Sequence, residues 1–154
     1  MLQFDDTGFL IPAEPIESNL VDFETHFVFN ERRERLFNVY IEFLDNLNKM
    51  AIGNYFQWID GSFTTLKPFP NDIDVVCFVD FNFHKLKLSQ LYSLRNRYKL
   101  RALDVYYEPF YPKIHWLEHT NNWQADYWKE VYNTTKPMGQ QEKIFSKGFI
   151  QLNF

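Results

Sequence analysis

The sequence predicts a mixed α/β (α+β) domain, and three observations carry that expectation. An apolar pattern of near-3.6 period runs from Glu31 to about Met50, which is an amphipathic helix with one face to bury against a sheet. Two short apolar runs, Tyr55 to Ile59 and Ile73 to Val79, are separated by a Gly-Ser turn and a Pro-containing loop, as two strands would be. The last six residues, Phe149 to Phe154, alternate apolar and polar like a strand with one buried face. With 154 residues and no internal repeat, low-complexity tract or linker, residues 1–154 read as a single domain large enough for a proper core.

In chain order, residues 1–29 read as an extended, irregular lead-in broken by Pro12 and Pro15. Asn30 is placed to cap the first helix, whose apolar positions are Leu36, Phe37, Tyr40, Ile41, Phe43, Leu44 and Leu47. Gly53 stops it and the first core strand follows. After the second strand, Lys85 to about Asn96 reads as a helix and Leu100 to Tyr107 as a strand carrying Asp104, broken by Pro109 to Pro112. Asn122 to Tyr132 reads as a helix with Trp123, Tyr127, Trp128 and Val131 on one face.

Composition narrows the function classes. Hydrophobic content is 45% and aromatic content 19%, with 17 Phe, so the core is expected to be filled by rings; packing is the favoured role for them over base stacking. The acidic start, Met1 to Asp6, has no long apolar run, so no signal peptide is expected, and no stretch reaches transmembrane length. A lone cysteine, Cys77, excludes an internal disulfide and fits a reducing cytoplasm. It sits mid-strand, where it reads as a small buried apolar residue. The four His and one Cys show no zinc-ligand spacing. A net charge of −4 argues against a general nucleic-acid or DNA binder. Yet Phe81 to Leu103 holds six of the sixteen Lys and Arg (Lys85, Lys87, Arg95, Arg97, Lys99, Arg101) and no acid. Two readings of that block stand: a border of a site that meets triphosphate or an RNA acceptor, or a solvated helix face.

The chemistry concentrates in Gly61-Ser62-Phe63 and Asn71-Asp72-Ile73-Asp74-Val75-Val76. In a strand, Asp72 and Asp74 point to the same face, about 6.6 Å apart along the chain. Two like charges at that separation repel by roughly 2–3 kcal/mol at an effective dielectric near 20. The apolar residues after them leave solvent little scope to relieve it, so a cation must. Mg²⁺ suits two carboxylates completed by substrate phosphate oxygens. Upstream, Gly61 lets the backbone turn tightly against a ligand, while Ser62 and the amides after it can meet a phosphate. Lys67, in the intervening loop, either reaches the β- or γ-phosphate or is an exposed loop lysine. Asp60 reads as a residue that stabilises the turn rather than a metal ligand.

These residues resemble the DNA polymerase β-type nucleotidyltransferase superfamily, in particular its minimal nucleotidyltransferase branch. That pattern is an apolar residue, Gly-Ser, a loop of about ten residues and Asp-apolar-Asp-apolar; the present chain has Ile59-Asp60-Gly61-Ser62 and Asp72-Ile73-Asp74-Val75, with 11 positions from Gly61 to Asp72. The stretch from Gly61 to Asp74 is similar to an uncharacterised subgroup of bacterial and mobile-element proteins, with looser similarity at Gly8-Phe9-Leu10 and Lys147-Gly148. The resemblance implies a polymerase β palm-like fold: a mixed sheet of about four to five strands with helices mainly on one face. It implies two Mg²⁺ ions held by Asp72, Asp74 and a third carboxylate, for which Asp104 is the match and Glu108 the fallback. The third carboxylate would also accept the attacking hydroxyl's proton. Gly61, Ser62 and Lys67 would bind an NTP. The implied reaction moves an NMP group, AMP first, to a hydroxyl of a protein or RNA acceptor; analogy adds a toxin–antitoxin or phage-defence setting with a cognate partner protein. The rival class is a non-catalytic interaction protein, an antitoxin or nucleotide sensor on the same fold. A metal-dependent sugar transferase also uses Asp-x-Asp, but the Gly-Ser turn and the short chain count against it.

Overall fold

The computed structural model describes residues 2–111, 118–139 and 142–154. Its centre is a five-stranded mixed sheet. In chain order these strands are β3 (Pro15–Ser18), β4 (Phe56–Asp60), β5 (Ile73–Asp80), β6 (Leu103–Phe110) and β7 (Phe149–Asn153). They lie in the order β3-β7-β4-β5-β6, and a separate two-stranded sheet pairs β1 (Gln3–Phe4) with β2 (Leu10–Ile11). β4 runs antiparallel to both β5 and β7, while β5 pairs parallel with β6 and β3 parallel with β7.

Alternation along the strands separates two faces. Ile59, Val75, Cys77, Val105 and Ile150 point into the main core, which is closed by helices α1 (Leu20–Phe27), α2 (Glu31–Asn48) and α3 (Phe81–Lys99). Phe23, Phe27, Tyr40 and Phe63 meet there ring to ring at centroid separations of 5.1 to 6.4 Å. Each fully buried Phe contributes about 1.5–3 kcal/mol of transfer free energy. Trp58, Val76, Phe78 and Phe149 point to the opposite face, where α4 (Glu118–Tyr132) covers them with Trp128 and Tyr132. Three of the four helices among the described residues thus share one face. Among the described residues no helix is long and apolar enough to cross a membrane.

Several boundaries differ from expectation for local reasons. The stretch 1–29 is not simply an extended lead-in: it holds three short strands and α1. α1 has only eight residues, too few to print a period, and is fixed instead by the Asn19 side chain accepting from Asp22 N at 2.9 Å and by buried Phe23 and Phe27. Asn30 does cap α2, accepting from Arg33 N at 3.1 Å. α3 starts at Phe81 rather than Lys85, because Asp80 accepts from the Asn82 and Phe83 amides at 2.9 and 3.1 Å. It also runs on to Lys99, and the left-handed Ala102 (φ 63°) turns the chain into β6. β6 continues through Pro109 because it is an edge strand, where a missing N–H costs no ladder bond. Pro112, the other expected breaker, lies outside the described residues. On α4 the expected aromatic face divides: Trp128 packs, whereas Trp123 and Tyr127 are 74% and 55% exposed.

Candidate functional site

Register brings three carboxylates into one row. Asp60 on β4 is the partner of Asp74 on β5, and Asp74 is the partner of Asp104 on β6. Partners across a ladder share a face, so all three point to the α4 side, spanning about 10 Å at about 4.8 Å per strand. The next row is Trp58, Val76 and Tyr106, so the carboxylates form the polar end of an otherwise aromatic face. Asp72 lies one residue ahead of β5, half-buried, and acts on Asp74 electrostatically.

The Gly-Ser turn touches the middle of this row. Gly61 has φ 81°, and a Cβ there would collide with Asp74 Oδ2, so only glycine lets the turn lie against that carboxylate. Ser62 opens a short 3-10 turn, Ser62–Thr64, and its hydroxyl has no partner among the described residues.

The loop from Ser62 to Asn71 is fastened by the start of α2. Arg33, fully buried, donates through Nη1 to Phe27 O (2.9 Å) and Phe63 O (2.7 Å) and through Nη2 to Thr65 O and Lys67 O (both 2.6 Å). Its guanidinium lies 4.3 Å from the ring centroid of Phe29 and 5.0 Å from that of Phe63. Burial lowers its pKa to about 10. Arg32 donates to Pro70 O (3.1 Å) and Asn71 O (2.7 Å), and Asn30 to Pro68 O (2.8 Å). Six loop carbonyls are thereby held from the start of one helix. Lys67 is tied by its carbonyl, while its side chain is exposed and makes no hydrogen bond or ion pair among the described residues.

Among the described residues, ion pairs compensate charge at both ends of the row, while the middle has only the longer-range effect of Lys136. At one end, Lys147 Nζ donates to Asp60 Oδ1 and to Tyr132 O (2.9 Å for the latter), with lysine and aspartate both buried. Burial pushes the Asp60 carboxyl above the usual range, and Lys147 opposes it with the smaller effect. At the other end, Asp104 has Arg95 Nη2 at 3.7 Å, Lys99 Nζ at 3.9 Å and the Tyr106 hydroxyl donating at 3.3 Å. Its Oδ1 is nevertheless buried without a hydrogen bond. Between them, burial raises Asp74 to about 7, and Asp72, Asp60 and Asp104 add to the rise; Lys136 opposes it. Asp74 is therefore the carboxyl of the row whose ionisation a bound cation would favour.

Of the residues singled out in the sequence, Gly61, Ser62, Asp72, Asp74 and Asp104 come together, and Glu108 does not. Glu108 lies two rows further along β6, where it accepts from Trp128 Nε1 at 2.8 Å. Asp60, read as a turn residue, is instead one of the row and half of a buried ion pair. Lys147 and Arg33 carried no sequence signal for these roles, since each acts across long separations, 87 residues to Asp60 and 30 to Phe63. Among the described residues no three His, Cys, Asp or Glu side chains are gathered closely enough to form a ready-made metal site.

A family model matches the chain over residues 2–153, from β1 through β7. The chain belongs to DUF6932. That family is described as one of unknown function. No curated protein and no solved structure matches the chain. The DUF6932 match takes in both sheets, all four helices and the whole carboxylate row.

Proposed function

We propose that this DUF6932 chain has a nucleotidyltransferase fold of the polymerase β palm type and transfers an NMP group, AMP first, from an NTP to a hydroxyl, acting in the cytoplasm. The observation that carries the reading is the contact of Gly61 with Asp74, in a row where Asp74 stands beside Asp104 and two residues from Asp72. The two halves of the motif, thirteen positions apart from Gly61 to Asp74, meet at one carboxylate.

Mg²⁺ fits the middle of the row, where the raised Asp74 and neighbouring Asp72 form no ion pair among the described residues. Bound there, it would neutralise the phosphate oxygens and stabilise the leaving pyrophosphate. The chain's own residues do the rest. Gly61 and the half-buried start of the turn receive the triphosphate, Ser62 offers it a hydroxyl, and the Lys67 ammonium is within the same loop. The acceptor oxygen forms a bond to the α-phosphorus, the bond from that phosphorus to the β-bridging oxygen breaks, and pyrophosphate leaves. The acceptor's proton passes to Asp104, which is aligned with Asp74 and keeps a buried oxygen without a hydrogen bond.

A second reading is a non-catalytic interaction protein, an antitoxin or nucleotide sensor, the partner of a cognate protein in a toxin–antitoxin or phage-defence pair. It draws on the protein cations already paired with Asp60 and Asp104, which leave no ready three-carboxylate site among the described residues. Incubation with each α-labelled NTP and Mg²⁺, with host RNA and lysate protein as acceptors, separates the two. Label moved by wild type and not by Asp72→Ala/Asp74→Ala supports the transferase; label moved by neither, with any NTP, favours the binding protein.

A further inference from the structure

The acceptor's chemistry is legible in what borders the two sides of the row. The Gly61 turn lies on the β4 side of Asp74, so a triphosphate received there leaves the β6 side, at Asp104, for the acceptor. That side is bordered by α3. Lys85, Leu88, Tyr92, Arg95 and Lys99 follow one another at steps of three or four residues, so they form a single stripe along the helix. The stripe adjoins the buried positions Leu91, Leu94 and Tyr98 and covers about 21 Å at about 1.5 Å per residue. Its end is fixed by contacts: Arg95 and Lys99 approach Asp104 at 3.7 and 3.9 Å, and the Arg95 guanidinium lies 4.3 Å over the Tyr106 ring. Lys85 is exposed with no ion pair among the described residues, and Tyr92 is 50% exposed between the cations. No acidic residue interrupts Phe81–Lys99, although the chain as a whole carries −4.

We propose that this α3 stripe seats a single-stranded polynucleotide whose terminal ribose hydroxyl is presented at Asp104. The inference rests on the nucleotidyltransferase reading and adds the acceptor class. Cations interleaved with an exposed aromatic ring suit a strand that offers regularly spaced phosphates and base faces to stack. A protein acceptor offers neither, and a net-negative chain with one basic stripe selects where a polyanion lies. Transfer then extends the strand by one nucleotide: the terminal hydroxyl oxygen bonds to the α-phosphorus, its proton goes to Asp104, and pyrophosphate departs.

The test is fluorescence anisotropy with 5′-fluorescein-labelled single-stranded 12-mers of RNA and of DNA, in EDTA and across a salt series. The wild type is expected to bind at least one of them, with affinity falling as salt rises. Lys85→Gln/Arg95→Gln/Lys99→Gln should weaken binding at least tenfold and flatten the slope of log affinity against log salt by about 2. Lys85→Gln alone, which leaves both contacts to Asp104 intact, should weaken it severalfold. Arg97→Gln, on the opposite flank beside Glu42, should leave it unchanged. No salt-dependent binding by wild type, an equal loss in Arg97→Gln, or equal competition by polyglutamate overturns the proposal. Salt-dependent binding by wild type while wild type transfers no label from any NTP keeps the stripe and removes the transferase reading. Transfer to protein without polynucleotide binding does the reverse.

Discussion

At Asp74 a single side chain couples stability to pH. Its carboxyl is raised to about 7 when folded, against about 3.9 unfolded. The folded chain therefore retains a proton that the unfolded chain has lost between those values. The group's stabilising contribution is full below about pH 4 and disappears as pH rises through 7. Asp74→Asn keeps the shape and removes the charge, so in urea unfolding at pH 8 it should be more stable than wild type by about 2–4 kcal/mol. At pH 4 the difference should close; parallel pH profiles for the two proteins would refute it. Mg²⁺ at pH 8 should raise the wild-type Tm and leave that of Asp74→Asn nearly unchanged. Gly61 is coupled to the same carboxylate through space. Gly61→Ala combines a left-handed φ, costing about 1–2 kcal/mol, with a collision at Asp74 Oδ2. It should lower stability by about 2–3 kcal/mol and reduce nucleotidyl transfer more than a hundredfold, the first read by urea and the second by labelled NTP.

Elements were legible where a local signal fixes them and illegible where a distant partner does. The Asn30 cap, the α2 period and the Gly61 to Asp74 motif are contained in a few consecutive residues, and the structure has them where the sequence puts them. The Arg33 clamp is different. In the sequence Arg33 is one charge among Arg32, Arg33 and Arg35, and nothing local says which is buried. Its role comes from carbonyls of a loop that its own helix cannot specify. Arg33→Met should cost about 3–5 kcal/mol, because several buried carbonyls lose their donor. Arg33→Lys should recover only part, since three donors on a point charge cannot match a planar fork reaching four carbonyls. Chemical denaturation ranks the three proteins. Lys147 and Asp60 form the other long-range device. Removing one partner strands a buried charge, so Lys147→Met should cost about 3–5 kcal/mol, and adding Asp60→Asn should restore much of the loss. A double variant no better than the single would mean that Lys147 acts through Tyr132 O alone.

Over the whole molecule, the fold is a sheet with α1, α2 and α3 on one face, and α4 and the carboxylate row on the other. The class, the strand-rich core and most helices follow from hydrophobic period, since each element must bury one face. The row of carboxylates does not follow from period. It depends on register between β4, β5 and β6, which long-range pairing sets and no consecutive stretch records. Asp104 was within reach because an acid inside an apolar strand is conspicuous; Asp60 was not, because beside a glycine it reads as part of a turn.

The strand order has a temporal consequence. β7, the last strand of the described fold, lies between β3, near the first residue, and β4. Synthesis from the N-terminus therefore delivers β4, β5 and β6 well before the piece that joins them to β3. The same late segment carries Lys147 to Asp60. Until it emerges from the ribosome, Asp60 lacks its buried counter-ion, so pairing of the sheet onto β3 and compensation of Asp60 arrive together.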